Sequence, residues 1–387
     1  MISIKARDNA PIDFSCLTNS NTDVRVSDVM LFAGSNQSAR RSFDITEVSI
    51  CGERVPVTTR DILTTPFCAL TEFARSDAIA ARDVLVVAPL SGHFPFLLRD
   101  LVVDLLPSFR VLVTDWINAR CISMEHGSFG LDANVSCVAE MMRLLRPHLT
   151  VIALCQGGIP ALAATALLGA NDDPRMPSAL VLIAAPIDPL ANQTRVARLL
   201  RARSLTWFQD NAITTVPKWF PGSGRLVYPA NLQLAALSTY LLRRISEPGQ
   251  IWAKLLYDDG IDPWRFPFLD LYTSIMDLDA SFFLENIKSV YHDCALRQGT
   301  FRCQGENVDL RAIRRTALLT IEGEWDDIAA PGQTSAAHDL CSSIPTGAHH
   351  RIVVPHCAHF SLFHGGIWRR EVLPSILAFR GAEALTS

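Results

Sequence analysis

The chain has 387 residues, of which 49% are hydrophobic and 19% charged, and a formal charge of −4. That balance excludes a disordered chain, and with no Lys/Arg run it leaves no electrostatic footprint for nucleic acid. The ten cysteines, at positions 16, 51, 68, 121, 137, 155, 294, 303, 341 and 357, include no C-x-x-C pair. This argues against a disulfide framework and a zinc ribbon, and it predicts a reducing, cytoplasmic setting. No apolar stretch of signal-peptide length follows Lys5 and Arg7 in MISIKARDNAPIDFSC. The length suits one large α/β core carrying an insertion.

In chain order, residues 1–65 are polar and irregular, an N-terminal extension with short strands at Glu47–Ile50 and Arg54–Val57. The pattern then sharpens into short apolar runs: Val84–Ala88, Val111–Asp115, Thr150–Leu154, Ala179–Ala184, Ala317–Glu322 and Arg351–Val354. Runs apolar on both faces are what buried parallel strands require. Helical stretches lie between them: Asp132–Leu145 with Asp132 as its N-cap, Pro160–Leu168 and Thr334–Cys341. The alternation predicts a mainly parallel central sheet flanked by helices. Leu149–Ala170 is uncharged and about as long as a membrane span. Gln156, Gly157, Gly158 and Pro160 near its middle fit a strand–turn–helix instead, so no transmembrane segment is predicted.

The alternation breaks between about Leu190 and Gly299. This divides the chain into the first part of a core at 66–189, a mostly helical cap at 190–299, and the second part of the core at 300–387. The cap holds four of the seven Trp (Trp207, Trp219, Trp252, Trp264) and all five Tyr (Tyr228, Tyr240, Tyr257, Tyr272, Tyr291). Two readings stay open for these aromatics: they fill the cap's own core, or they form an apolar surface that grips a greasy substrate.

The strongest chemical signal is Ala153-Leu154-Cys155-Gln156-Gly157, which follows a strand and precedes a helix. It has the small-x-nucleophile-x-small form of a nucleophile elbow, with Cys155 where Ser is usual. There the unpaired N–H groups of a helix start favour a thiolate, and Pro160 in the first turn needs no N–H partner. By itself Cys155 could equally be a small buried apolar residue. Its context adds an acid and a base in the order that the α/β-hydrolase fold demands. Asp326 and Asp327 follow one late strand, and His359 follows the last. Adjacent Asp side chains point apart, so only one meets the imidazole; Asp326 is preferred and Asp327 is the alternative. The backbone N–H of Gln156 supplies one oxyanion donor, and the loop Pro89-Leu90-Ser91-Gly92-His93 is expected to supply a second through Leu90 or Ser91. His349, His350, His356 and His364 lie near His359 in the sequence, but without an H-E-x-x-H no metal is expected, and no phosphate or dinucleotide cradle is present. No cofactor is therefore expected.

Several blocks carry a family resemblance. They are Val151-Ile152-Ala153-Leu154-Cys155-Gln156, Asp115-Trp116 with Ala119-Arg120, Pro66-Phe67-Cys68, and Val87-Ala88-Pro89 leading to Ser91-Gly92-His93. Ala312-Ile313-Arg314 then leads through Thr320-Ile321-Glu322-Gly323-Glu324 to Asp326-Asp327-Ile328, with Gly332-Gln333-Thr334 and Ala336-Ala337-His338 beyond. From about Pro66 to Phe379 the chain resembles the intracellular polyhydroxyalkanoate (poly(3-hydroxybutyrate)) depolymerases. The resemblance implies a Cys-Asp-His triad of Cys155, Asp326 and His359. It implies as substrate the amorphous polymer of cytoplasmic storage granules, with the granule surface as partner; because a thioester acyl-enzyme also reacts with thiols, coenzyme A is an alternative acyl acceptor. Two other functions stay open, a polyhydroxyalkanoate synthase-like acyltransferase and a non-catalytic granule-binding protein.

Overall fold

The computed structural model describes residues 40, 42–77, 82–91, 95–233, 235 and 275–384. Nine strands form the central sheet: β1 (Glu47–Ile50), β2 (Glu53–Thr64), β3 (Cys68–Arg75), β4 (Arg82–Val87), β5 (Phe109–Trp116), β6 (Thr150–Leu154), β7 (Ala179–Ile183), β13 (Ala317–Gly323) and β14 (His349–Val354). Between β7 and β13 lie a three-stranded antiparallel sheet of β8 (Thr214–Thr215), β9 (Leu226–Tyr228) and β10 (Leu278–Asp279), and a small hairpin of β11 (Arg302–Cys303) and β12 (Glu306–Asn307). The central order is β1-β2-β3-β5-β4-β6-β7-β13-β14. Pairing is antiparallel as far as β5 and parallel from β5 to β14. This is the α/β-hydrolase fold. The parallel part exists because its strands are apolar on both faces: every residue of β6 and β7 is buried.

Helices α1 (Pro95–Leu105), α2 (Leu131–Leu144), α3 (Gly158–Ala170) and α7 (Leu373–Ala384) belong to the core. Helices α4 (Arg195–Ala202), α5 (Leu205–Ala212) and α6 (Ala280–Asn286) belong to the insertion. α3 is almost wholly buried, which explains a run uncharged enough to suggest a bilayer span. No helix among the described residues is long and apolar enough to cross a membrane.

The structure departs from the sequence reading at several places. β1 and β2 lie in the segment read as an N-terminal extension, yet they extend the central sheet, β2 pairing with β3 from Val57↔Arg75 to Thr64↔Ala69. β3 itself escaped notice because Thr71 and Glu72 interrupt its apolar run; Glu72 is buried and held by the guanidinium groups of Arg60 and Arg110. Asp132 does not cap α2. The cap position is Gly130, and the N–H of Leu131 donates to Glu285 Oε2 of α6 at 2.6 Å. A Cβ on residue 130 would collide with that same carboxylate, so glycine there admits it. The stretch Thr334–Cys341 is helical only over Ala337–Leu340; ahead of it the buried Glu322 carboxylate accepts the N–H groups of Gly332, Thr334 and Ser335 at 2.8–2.9 Å. The insertion carries a sheet as well as helices. Trp252, Trp264, Tyr240, Tyr257 and Tyr272 lie outside the described residues. Of the cap aromatics that are described, Tyr228 stacks on Phe283 at 3.9 Å, whereas Trp219 is 77% exposed.

Candidate active site

β4 hydrogen-bonds β5 on one side and β6 on the other, so the chain leaves β4 and β6 in opposite directions. The crevice at the carboxyl ends of two such strands is where open α/β sheets bind ligands. Cys155 stands there. β6 ends at Leu154, a single 3₁₀ turn covers Cys155–Gly157, and α3 begins at Gly158. Cys155 has φ +48°, a left-handed conformation that costs a non-glycine residue about 1 kcal/mol or more. The neighbours permit so sharp a turn only because they are small. A Cβ on Gly157 would lie 2.5 Å from the Val87 carbonyl oxygen, and one on Gly158 would overlap the Ala185 side chain.

The loops after β13 and β14 are zipped together. The N–H of Glu324 donates to the Val354 carbonyl at 3.0 Å and that of Trp325 to the Cys357 carbonyl at 2.9 Å, while the N–H of His356 donates to Glu324 Oε2 at 2.7 Å. Gly323 lets them meet, since a Cβ there would sit 2.5 Å from the Cys357 carbonyl. This brings Asp326, 3% exposed, against His359, 4% exposed. Asp326 Oδ2 accepts from His359 Nδ1 at 2.7 Å, and Oδ1 accepts the N–H groups of Ile328 and Ala329 at 2.8 and 2.9 Å. A carboxylate fixed by three donors can orient the ring, and it is Asp326 that engages Nδ1. Asp327 is half-buried.

Cys155 lies close enough to the same imidazole to raise its proton affinity. Burial alone would push His359 toward the neutral form, but the neighbouring Asp326 and Cys155 and the hydrogen bond to Asp326 overcome it, holding the ring well above the ordinary histidine value. Phe360 and Phe363 stand edge-on to it with centroids at 5.4 and 5.3 Å. The three predicted side chains thus converge, although they come from three separate loops.

The predicted oxyanion donors do not all fare alike. Ser91 N–H is already engaged, donating to Gln156 Oε1 at 3.0 Å. Of the two residues expected to share the second donor, Ser91 is therefore the one whose N–H is occupied by a protein acceptor. Gly92 and His93 lie outside the described residues. The other histidines are dispersed: His338 Nε2 meets Thr320 Oγ1 at 2.9 Å and its Nδ1 meets His349 Nδ1 at 2.7 Å, His350 packs on Phe379, and His356 packs on Trp325. Among the described residues no group of three His, Cys, Asp or Glu is placed to hold a metal.

Two neighbours were missed. Tyr291, on a π-helical turn Ile287–His292, has its phenol pushed up first by burial and then by the negative charge of Cys155; a π-turn leaves no mark in the periodicity by which helices are read. Glu322 shapes the segment that follows Asp326 through its three N–H bonds, and its only signal was a carboxylate within an apolar run.

The family described as PHB de-polymerase C-terminus matches residues 184–383, just over half the chain and inclusive of Asp326 and His359. The chain belongs to this family. As a PHB de-polymerase family member it is a hydrolase; the elbow with Cys155 lies before the matched stretch. Among curated proteins no relative matches. The chain is similar in structure to carboxyl esterase 2 from Tuber melanosporum, with 13% identity over 91% of this chain and 97% of that one and a TM-score of 0.47. It is also similar to a hydrolase from Pseudomonas aeruginosa PA01, with 15% identity, coverage of 84% and 98% and a TM-score of 0.47. For the α/β-hydrolase GrgF from Penicillium sp. sh18 the values are 13% identity, coverage of 84% and 98% and a TM-score of 0.48.

Proposed function

We propose that this PHB de-polymerase family member hydrolyses the ester bonds of amorphous poly(3-hydroxybutyrate) at the surface of cytoplasmic storage granules, with Cys155 as nucleophile, His359 as general base and acid, and Asp326 as the group that orients the imidazole. One observation carries the reading. A cysteine held at φ +48° on a strand-to-helix elbow lies near enough to act on a buried imidazole whose Nδ1 is fixed 2.7 Å from a buried carboxylate.

With Nδ1 bonded to Asp326, Nε2 is the nitrogen left to take the thiol proton. The thiolate attacks the polymer carbonyl, a sulfur–carbon bond forms, and the carbonyl π pair moves onto oxygen. The tetrahedral adduct then collapses. The ester C–O bond breaks, the leaving alkoxide takes the proton from His359, and a thioester remains on Cys155. Water, deprotonated by His359, attacks the thioester in turn, and the carbon–sulfur bond breaks to free a carboxylate and return the thiol. Coenzyme A thiol in place of that water would release a coenzyme A thioester.

The test is Cys155→Ala assayed for 3-hydroxybutyrate release from native granules. Loss of release with retained pelleting is the expected result; unchanged release would falsify the assignment. Two controls separate the rivals. Free coenzyme A formed from 3-hydroxybutyryl-CoA would mark a synthase-like acyltransferase. Pelleting with granules, without fast alkylation of Cys155 by iodoacetamide at neutral pH, would mark a binding protein with a vestigial triad.

A further inference from the structure

We propose that the side chain of Gln156 is a positioning residue that holds the loop after β4 against the elbow, so that the Leu90 N–H, and not that of Ser91, is the second oxyanion donor. This inference rests on the ester-hydrolase reading of the same site.

The loop Ala88–Ser91 is anchored at both ends. At its root the Ala88 N–H donates to Thr114 Oγ1 at 2.9 Å, and the Ala88 carbonyl accepts from Trp116 Nε1 at 2.9 Å. At its tip the Ser91 N–H donates to Gln156 Oε1 at 3.0 Å. The backbone donors between can be counted: Ala88 is used by β5, Pro89 has no N–H, and Ser91 is used by Gln156. Leu90 is left. Its N–H has no hydrogen-bond partner among the described residues, although Leu90 is only 8% exposed. Backbone N–H groups in buried surroundings are nearly always paired, so this one is suited to an acceptor that arrives with the substrate.

The elbow lies against the same loop. A Cβ on Gly157 would be 2.5 Å from the Val87 oxygen and 3.2 Å from the Ala88 oxygen, so Gln156 and Leu90 belong to loops already in contact. Gln156 then acts twice. Its backbone N–H follows the nucleophile, where a first oxyanion donor is expected, and its side-chain oxygen ties down the loop that carries the second. Among the described residues Thr114 and Trp116 hold the root and Gln156 holds Ser91, so removing the Gln156 acceptor releases that end.

Two chemistries of the same sulfur separate positioning from plain structure. In acyl transfer negative charge gathers on a carbonyl oxygen, and donors around it matter. In alkylation by iodoacetamide the sulfur–carbon bond forms as iodide leaves a saturated carbon, and no oxyanion arises. Gln156→Met keeps the length but removes the acceptor, and Gln156→Asn keeps the amide one methylene short of Ser91. With p-nitrophenyl butyrate and amorphous poly(3-hydroxybutyrate) particles, both variants are expected to lose about 10- to 100-fold in kcat, since the loop is loosened rather than a donor deleted. KM and the alkylation rate of Cys155 should stay within about twofold of wild type. Three results overturn the proposal. They are kcat unchanged in both variants, a rise in kcat, which would make Gln156 a plug on a Ser91 donor, or a joint fall of kcat and alkylation, which would make its role merely structural. A wild type inert toward both esters, yet rapidly alkylated, would instead remove the ester-hydrolase reading on which the proposal stands.

Discussion

In β6 and β7 every side chain is buried, and β4 is buried from Asp83 to Val87, so this part of the molecule is held by apolar area and ladder hydrogen bonds. The described part of the insertion adds charge to its apolar contacts with the core, in which Met276, Leu278, Phe282 and Val290 join the main apolar cluster. Arg120 pairs with Asp277 at 2.6 Å. Arg225, 2% exposed, pairs with Asp279 at 2.7 Å and donates to the carbonyls of Ile122, Ser123 and Gly127. Glu285 caps α2 from α6. Burial is non-directional and tolerant, worth about 1.5–3 kcal/mol for each large apolar side chain. A buried ion pair is directional and fails when one partner goes. The sheet can thus carry an elbow under backbone strain, while in the insertion charged contacts add direction to apolar burial.

Substitutions that touch one region and spare the other sharpen this contrast. Asp326→Asn leaves the N–H bonds to Oδ1 in place but deprives His359 of its carboxylate, and kcat for ester hydrolysis is expected to fall about ten-thousand-fold with the fold intact by circular dichroism. The proton linkage has a definite sign. His359 is held above its unfolded value, so its contribution to stability is complete below about pH 6.5 and disappears as pH rises through the folded value. The melting-temperature gap between wild type and Asp326→Asn should therefore be wider at pH 6 than at high pH.

Arg225→Met is the matching blow to the insertion. It strands Asp279 and three carbonyls in the interior and should cost about 3–5 kcal/mol in urea unfolding. If it costs less than about 1 kcal/mol, the contrast between the two regions fails.

A further test lies inside the core, behind β13. Burial, with the nearby Arg351 second, lowers His338 to about 4, so the folded protein keeps this ring neutral where the unfolded chain binds a proton. Its stabilising effect is present above about pH 6.5 and is lost as pH falls to about 4, a change of about 3 kcal/mol. His338→Gln should flatten that part of the stability–pH curve, and an equally steep curve in the variant would refute the assignment. The smallest effect is expected from Glu285→Ala, which removes a cap that only the tertiary structure creates. About 1 kcal/mol should be lost, with α2 exchanging its first amide hydrogens faster.

How much of this was legible along the chain depends on the kind of signal. Thr150–Leu154 was read with the bounds it has, because five apolar residues between turn signals admit few alternatives. β3 was not read, since Glu72 is acceptable in a buried strand only through Arg60 and Arg110, and the latter lies 38 residues away. The small flanks of Cys155 were visible as residue types; that Gly157 faces the Val87 carbonyl was not. Asp326 was preferred to Asp327 but the pattern left both open, because their difference lies in where the loop after β13 turns, and that depends on Glu322, Gly323 and the neighbouring loop. Leu90 and Ser91 were likewise equal as sequence, and a hydrogen bond from a residue 65 positions on distinguishes them.

The sequence alone determined what depends on local pattern and composition: a core-rich α/β chain, its buried parallel strands, an elbow at Cys155, and an acid and a histidine in the order the fold requires. Tertiary structure alone decided what depends on partners distant in the chain. It chose which carboxylate meets His359, which N–H is occupied in the loop after β4, and that Glu285 rather than Asp132 caps α2. The physical reason is range. Hydrophobic periodicity and small-residue spacing act within a few residues, whereas hydrogen bonds and ion pairs take their strength from burial and geometry that exist only once the sheet has brought separate loops together.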